Sequence, residues 1–158
     1  FSKTLSPGLR LGWAVAAKPV ISRLVLMKQA ADLHTATLNQ MAVHQVAEAI
    51  FDEHCEQLRS VYGRRRDVML AALEEHMPEG VTWTHPEGGM FIWMTLPEGT
   101  DGSLLLARAI ETEKVAFVPG QAFFADGSGA NTIRLSFSNS NHADIAEGIA
   151  RLGRLLRG

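Results

Sequence analysis

Phe1-Ser2-Lys3-Thr4-Leu5-Ser6-Pro7-Gly8-Leu9-Arg10-Leu11-Gly12-Trp13 sets a lysine and an arginine around a turn rich in hydroxyls and glycine, just ahead of an apolar run. Leu9–Ala17, which holds Trp13 and Val15 and follows Pro7-Gly8, predicts a strand covered on both faces. A lysine amine condenses with an aldehyde only when neutral, and burial or a nearby cation lowers its pKa to help. An arginine presents planar donors suited to a phosphate dianion, and serine hydroxyls add neutral ones. On spacing alone the same residues also describe a solvated lysine and a surface arginine flanking a loop, because lone lysines are ordinarily exposed.

Downstream of this stretch the pattern is helical. Lys18-Pro19 opens a helix, with proline tolerated in the first turn, and Val20, Leu24, Met27 and Ala31 carry it to about Leu33. His34-Thr35-Ala36-Thr37 breaks the pattern. Leu38, Met41, Ala42, Val46, Ala49 and Ile50 predict a second helix to about Asp52, and a third is expected from Glu56 to Met77. After Pro78-Glu79-Gly80 the period changes. Val81–Thr84 and Met90–Leu96 read as strands around a Pro86-Glu87-Gly88-Gly89 turn. A helix marked by Leu104, Leu105, Ala109 and Ile110 ends near Lys114, and Val115–Val118 is a short strand. Thr132–Ser138 alternates Ile133, Leu135 and Phe137 to one face, so Arg134 points the other way. An arginine so placed is either a solvent-face residue or a bidentate clamp for a carboxylate. Asn141 is the expected N-cap of a last helix with the stripe Ile145, Ile149, Leu152 and Leu156, and Asp144 favours its dipole. Three helices followed by β-β-α-β-β-α predict a long helical connection leading into a small α+β domain.

Composition narrows the function classes. With 158 residues, 46% hydrophobic and 20% charged, the chain is of globular type and long enough for one sizeable core or two small ones. A net charge of -2 gives no electrostatic reason to expect nucleic acid or an anionic membrane as partner. No apolar run approaches the roughly 20 residues of a membrane span, and with no basic stretch leading into an apolar one at the start of these residues, no secretory leader is expected. The single cysteine, Cys55, allows no internal disulfide and suits a reducing compartment, so a cytoplasmic location is expected. The sequence starts at Phe1, inside the lysine segment and without an initiator methionine, and is expected to be a piece of a longer protein.

The segment Ser-Lys-x-x-x-Pro-Gly-x-Arg-x-Gly-Trp resembles the cofactor-lysine segment of fold-type I, class I/II pyridoxal-phosphate aminotransferases. Its nearest likeness is to the 2-aminoadipate and kynurenine (multi-substrate) enzymes. The likeness continues through Leu33-His34-Thr35 with Leu38-Asn39-Gln40, Gly88-Gly89-Met90-Phe91-Ile92-Trp93 and Phe117-Val118-Pro119-Gly120-Gln121-Ala122-Phe123-Phe124. It ends with Ile133-Arg134-Leu135-Ser136-Phe137-Ser138. The segments occur in the family's order over essentially the whole chain, which makes a far stronger signal than any one of them.

The resemblance implies an α/β fold, with residues 1–52 as the C-terminal end of a large cofactor-binding domain (strand and long helices) and 53–158 as a small C-terminal α+β domain. It implies pyridoxal 5'-phosphate as cofactor and transfer of an amino group from an L-amino acid to a 2-oxo acid. Lys3 matches the catalytic lysine that binds the cofactor, Ser2 and Arg10 match phosphate-holding positions, and Arg134 matches the arginine that pairs with the substrate α-carboxylate. A homodimer is expected of the intact enzyme, with no nucleic-acid or membrane partner. The residues present here are expected to be inactive alone, since the rest of the cofactor pocket lies upstream in the family.

The rival reading is the effector-binding, aminotransferase-like domain of a winged-helix transcription regulator, in which a similar lysine still binds the cofactor. A β-lyase or decarboxylase of the same fold type is a third. Other residues carry less. His34, His44 and His54 are ten apart, neither one helical face nor a metal spacing, so no metal site is expected. Arg64-Arg65-Arg66 reads as a solvated helix face, Cys55 as structural, and Met90, Trp93 and Met94 as core.

Overall fold

Lys18-Pro19 does open a helix: in the computed structural model, which describes residues 1–158, α1 spans Lys18–Ala31 with the proline in its first turn. It ends where Leu33 takes a left-handed conformation (φ 65°). Next comes α2, Thr37–His76, a single helix of 40 residues where the sequence pattern suggests two. The polar stretch around Asp52–Glu56 interrupts the apolar stripe but contains neither proline nor glycine to break the backbone. Side-chain pairs carry the helix through it, with Gln57 donating to Glu53 and Arg59 bound to Glu56 at 3.1 Å.

The chain divides into two compact units, Phe1–Arg59 and Ser60–Gly158, and the division falls within α2. The first unit is helix and turn. Residues 10–17 run through it without helix or ladder, and Trp13 and Val15 are 75% and 84% exposed. This corrects the expected strand at Leu9–Ala17. A strand buried on both faces needs strands beside it, and this unit has none to offer. The apolar stripe of α1 is present but unburied, with Met27 69% exposed.

The second unit is built on a four-stranded antiparallel sheet in the order β1-β2-β4-β3, comprising β1 (Thr82–Trp83), β2 (Phe91–Thr95), β3 (Val118–Pro119) and β4 (Thr132–Ser136). The predicted hairpin is present, with Thr82 opposite Thr95 and Trp83 opposite Met94. The β2–β4 register sets Ile92 against Leu135 and Met94 against Ile133, so all four share the buried face. On that face lie Leu73 of α2 and Ile145, Ile149 and Leu152 of α4 (His142–Arg157), the stripe read from the sequence. Asn141 caps α4 by accepting a hydrogen bond from the Asp144 N–H at 2.9 Å.

Between β2 and β3, Asp101 caps α3 (Gly102–Arg108), accepting from the Ser103 and Leu104 N–H groups. A π-helical turn, Ala109–Glu113, continues it to Lys114 (φ 57°). Gly120 approaches Thr132 so closely that a Cβ there would overlap the threonine side chain, and its N–H donates to the Thr132 carbonyl at 2.7 Å. None of the helices is long and apolar enough to cross a membrane.

Candidate active site

The lysine segment folds back on itself. The Phe1 carbonyl accepts hydrogen bonds from the N–H groups of Thr4, Leu5 and Ser6, closing a turn around Lys3, and the Phe1 backbone nitrogen donates to the Leu11 carbonyl at 2.9 Å. Pro7–Leu9 forms a single 3-10 turn. Arg10 then adopts a left-handed backbone (φ 50°, ψ 41°), uncommon for a residue other than glycine. That reversal carries its guanidinium back over the turn, where Nη1 donates to the Pro7 carbonyl at 3.2 Å and to Ser2 Oγ at 3.5 Å. Ser2 and Arg10, predicted to act together, are thus in contact, with exposed Lys3 on the turn between them.

Two residues of α2 hold this segment. The Asn39 side-chain amide donates to the Leu9 carbonyl at 3.1 Å, and Phe51 packs edge-on against Phe1 with ring centroids 6.1 Å apart. Asn39 belongs to one of the matched segments, yet its bond to Leu9 spans 30 residues and no local pattern announces it.

Arg134 lies in the second unit, on β4, opposite Trp93 on one side and Val118 on the other. It faces away from Ile133 and Leu135, as alternation predicts, but it is not a free surface arginine. It is half-buried, its Nε is buried without a hydrogen-bond partner, and its guanidinium carbon lies 4.1 Å from the Phe91 ring centroid and 4.6 Å from that of Phe123. Sequence reasoning missed Phe91 and Phe123. Phe91 and Trp93 alternate onto one face of β2, and the β2–β4 register makes that the Arg134 face, but the pairing itself has no sequence signal. Trp93 accordingly stands in this aromatic group, edge-on to Phe123 at 5.6 Å, rather than in the core; Met94, its neighbour, is fully buried as expected.

The two arginines singled out in the sequence stand in different settings: Arg10 is joined to a hydroxyl on the lysine-bearing turn, and Arg134 is held against aromatic faces. The family profile described as aminotransferase class I and II matches residues 1–152. A 2-aminoadipate transaminase from Thermus thermophilus is 51% identical over 158 residues, covering 100% of this chain and 40% of the relative. The crystal structure of LysN, an α-aminoadipate aminotransferase from the same organism complexed with N-(5'-phosphopyridoxyl)-L-leucine, superposes with a TM-score of 0.91 at 51% identity. It covers 99% of this chain and 40% of that one. An HTH-type transcriptional regulator of Bacillus subtilis, YdfD, is 36% identical over 157 residues, covering 99% of this chain and 32% of the regulator. The chain therefore spans about 40% of the length of the transaminase it matches, and it belongs to the aminotransferase class I and II family.

Proposed function

We propose that the complete protein is a pyridoxal-phosphate-dependent aminotransferase, moving an amino group from an L-amino acid to a 2-oxo acid, and that this chain supplies its lysine and two anion-binding arginines. The observation that carries the reading is the meeting of Ser2 and Arg10 on the turn that contains Lys3. A hydroxyl and a guanidinium converging there are a donor set that fits a phosphate dianion, and an exposed primary amine on the same turn fits covalent attachment to an aldehyde. Ser2 and Arg10 would hold the phosphate, and Lys3 would be the attachment point. When bound, the cofactor supplies the electron sink that makes an amino-acid Cα–H bond acidic.

The chain's own residues do the rest. With a substrate in place, the Lys3 amine would act as base and then as acid, taking the Cα proton and later giving it back. Arg134 pairs with the substrate α-carboxylate and fixes its orientation, which removes rotational freedom before the proton moves. The greater likeness to the transaminase than to the regulator supports catalysis over effector sensing. Residues 1–52 are read as the end of the large cofactor domain and 53–158 as the small C-terminal α+β domain; a first unit of helices and a second unit bearing the sheet support that reading. We also propose a cytoplasmic location, supported by the single cysteine, and a homodimer for the complete protein, supported by its membership of the family.

Borohydride reduction of the complete protein with pyridoxal phosphate, followed by peptide mapping, is expected to place the label on Lys3. In Lys3→Ala the visible absorbance of lysine-bound cofactor and the transfer of an amino group to 2-oxoglutarate are both expected to vanish. Absorbance retained near the wild-type level would sink the assignment. Cofactor bound at Lys3 without transfer, but with a change in DNA binding, would favour the regulator.

A further inference from the structure

Arg134 is held in an unusual way for a charged residue. It takes part in none of the chain's ion pairs. Its close neighbours are instead two aromatic rings, with the guanidinium carbon 4.1 Å from the centre of Phe91 and 4.6 Å from the centre of Phe123. Ring faces attract a guanidinium through their quadrupole and accept none of its in-plane N–H bonds. An acidic partner would have fixed the same cation by consuming those donors and cancelling its charge. Here the buried Nε is left unpaired, and no acidic group takes the guanidinium's other N–H donors.

The rings are themselves supported. Trp93 meets Phe123 edge-on, with an interplanar angle of 79°, and packs against Phe124 at 6.0 Å. Phe124 in turn lies over Gly129, whose φ of +74° and lack of a Cβ both matter, since a side chain there would run into the ring.

We propose that Phe91 and Phe123 are positioning residues for Arg134, holding its guanidinium by their ring faces so that its N–H edges remain available to a planar carboxylate. The proposal rests on the reading of Arg134 as the carboxylate-binding residue and deepens it. It assigns the orientation of the clamp to aromatic contacts rather than to an acidic neighbour.

The test uses the complete holoenzyme and two probes, pentanoate, which offers a carboxylate and no amine, and pentylamine, which offers the reverse. Phe91→Leu and Phe123→Leu keep an apolar side chain at partly exposed positions. Each is expected to weaken competitive inhibition by pentanoate about threefold to tenfold while leaving pentylamine binding and cofactor absorbance unchanged. Phe123→Tyr, which restores a ring face, is expected to recover pentanoate binding. If both leucine variants bind pentanoate as the wild type does while Arg134→Ala loses it, the positioning role is overturned and the clamp survives. If Arg134→Ala itself leaves pentanoate binding intact, the clamp reading fails and this proposal fails with it. Equal loss of both probes in the leucine variants would overturn the proposal by showing a general disturbance of the fold.

Discussion

Gly153 of α4 lies directly against the backbone carbonyl of His76 at the end of α2, with no room between them for a Cβ. The same carbonyl accepts a hydrogen bond from Arg157 Nη1 at 2.7 Å, so one oxygen fixes both the close approach and the last turn of α4. Ordinary helix propensity favours alanine over glycine by about 1 kcal/mol, but overpacking against a backbone that cannot swing away costs about 1–3 kcal/mol. Gly153→Ala is therefore expected to lower the unfolding midpoint. Gly148, on the same helix with nothing within 4 Å of its would-be Cβ, provides the contrast. Gly148→Ala is expected to raise stability by about 0.5–1 kcal/mol. Denaturant titration of both variants checks the pair, and a shift of the same sign in each would refute the argument.

Asn141 satisfies the first turn of α4 from its own side chain and also donates to Asp144 Oδ2 at 2.8 Å. Asn141→Ala leaves an N–H of that turn to water alone. The expected loss is about 1 kcal/mol, read as a lower midpoint in thermal unfolding. Asn141→Asp keeps the acceptor but sets a second carboxylate beside Asp144, so it is expected to restore only part of the loss.

Glu147 sits one turn before Arg151 and within reach of Arg154, at 2.8 Å and 3.8 Å. The hydrogen bond from Arg151, opposed by partial desolvation and aided by the charges of Arg151 and Arg154, holds the Glu147 carboxyl below its ordinary value of 4.5. A folded pKa below the unfolded one means that the contribution to stability is fully present above about pH 4.5 and fades as the pH falls through the folded value. An NMR titration is expected to find the Glu147 midpoint below the free-carboxylate range, and Arg151→Met is expected to move it upward. High salt should shrink the difference, because the pair is solvent-accessible and screened. A midpoint unmoved by Arg151→Met would show that the hydrogen bond does not set it.

What the sequence revealed followed the range of the forces involved. The α4 stripe, the Asn141 cap and the hairpin around Gly89 were legible because each is written in residues a few positions apart. The Arg134 alternation was legible for the same reason, but its aromatic partners were not. Phe91 and Phe123 reach it through sheet register and a 3-10 turn (Gln121–Phe123), which join residues 43 and 11 positions apart in the chain. The strand expected at Leu9–Ala17 failed for a related reason. Its hydrophobicity specifies burial, and nothing within the first unit supplies the neighbouring strands that would turn an extended run into a ladder. The joining of two predicted helices into α2 shows the reverse case: the apolar stripe lapses around Asp52–Glu56, but with no proline or glycine there the backbone stays helical.

Arg10 combines backbone strain with the contact that carries the proposed phosphate site. Its left-handed φ of 50° costs an L-residue other than glycine about 1–2 kcal/mol, and the reversal it enforces brings the guanidinium to Ser2. Strain and function are separable by substitution. Arg10→Gly removes both the strain and the guanidinium; with the entropic cost of glycine of about 0.5–1 kcal/mol set against the relief, the apoprotein is expected to change little in stability. Its affinity for pyridoxal phosphate is nonetheless expected to fall about tenfold to a hundredfold, the worth of a charge-assisted hydrogen bond. Arg10→Lys keeps the charge but loses the planar fork and is expected to fall between glycine and wild type. Absorbance titration of the complete apoprotein with pyridoxal phosphate measures all three. If Arg10→Gly binds as tightly as wild type, the phosphate is held by other residues, and the left-handed turn at Arg10 serves only to shape the segment around Lys3.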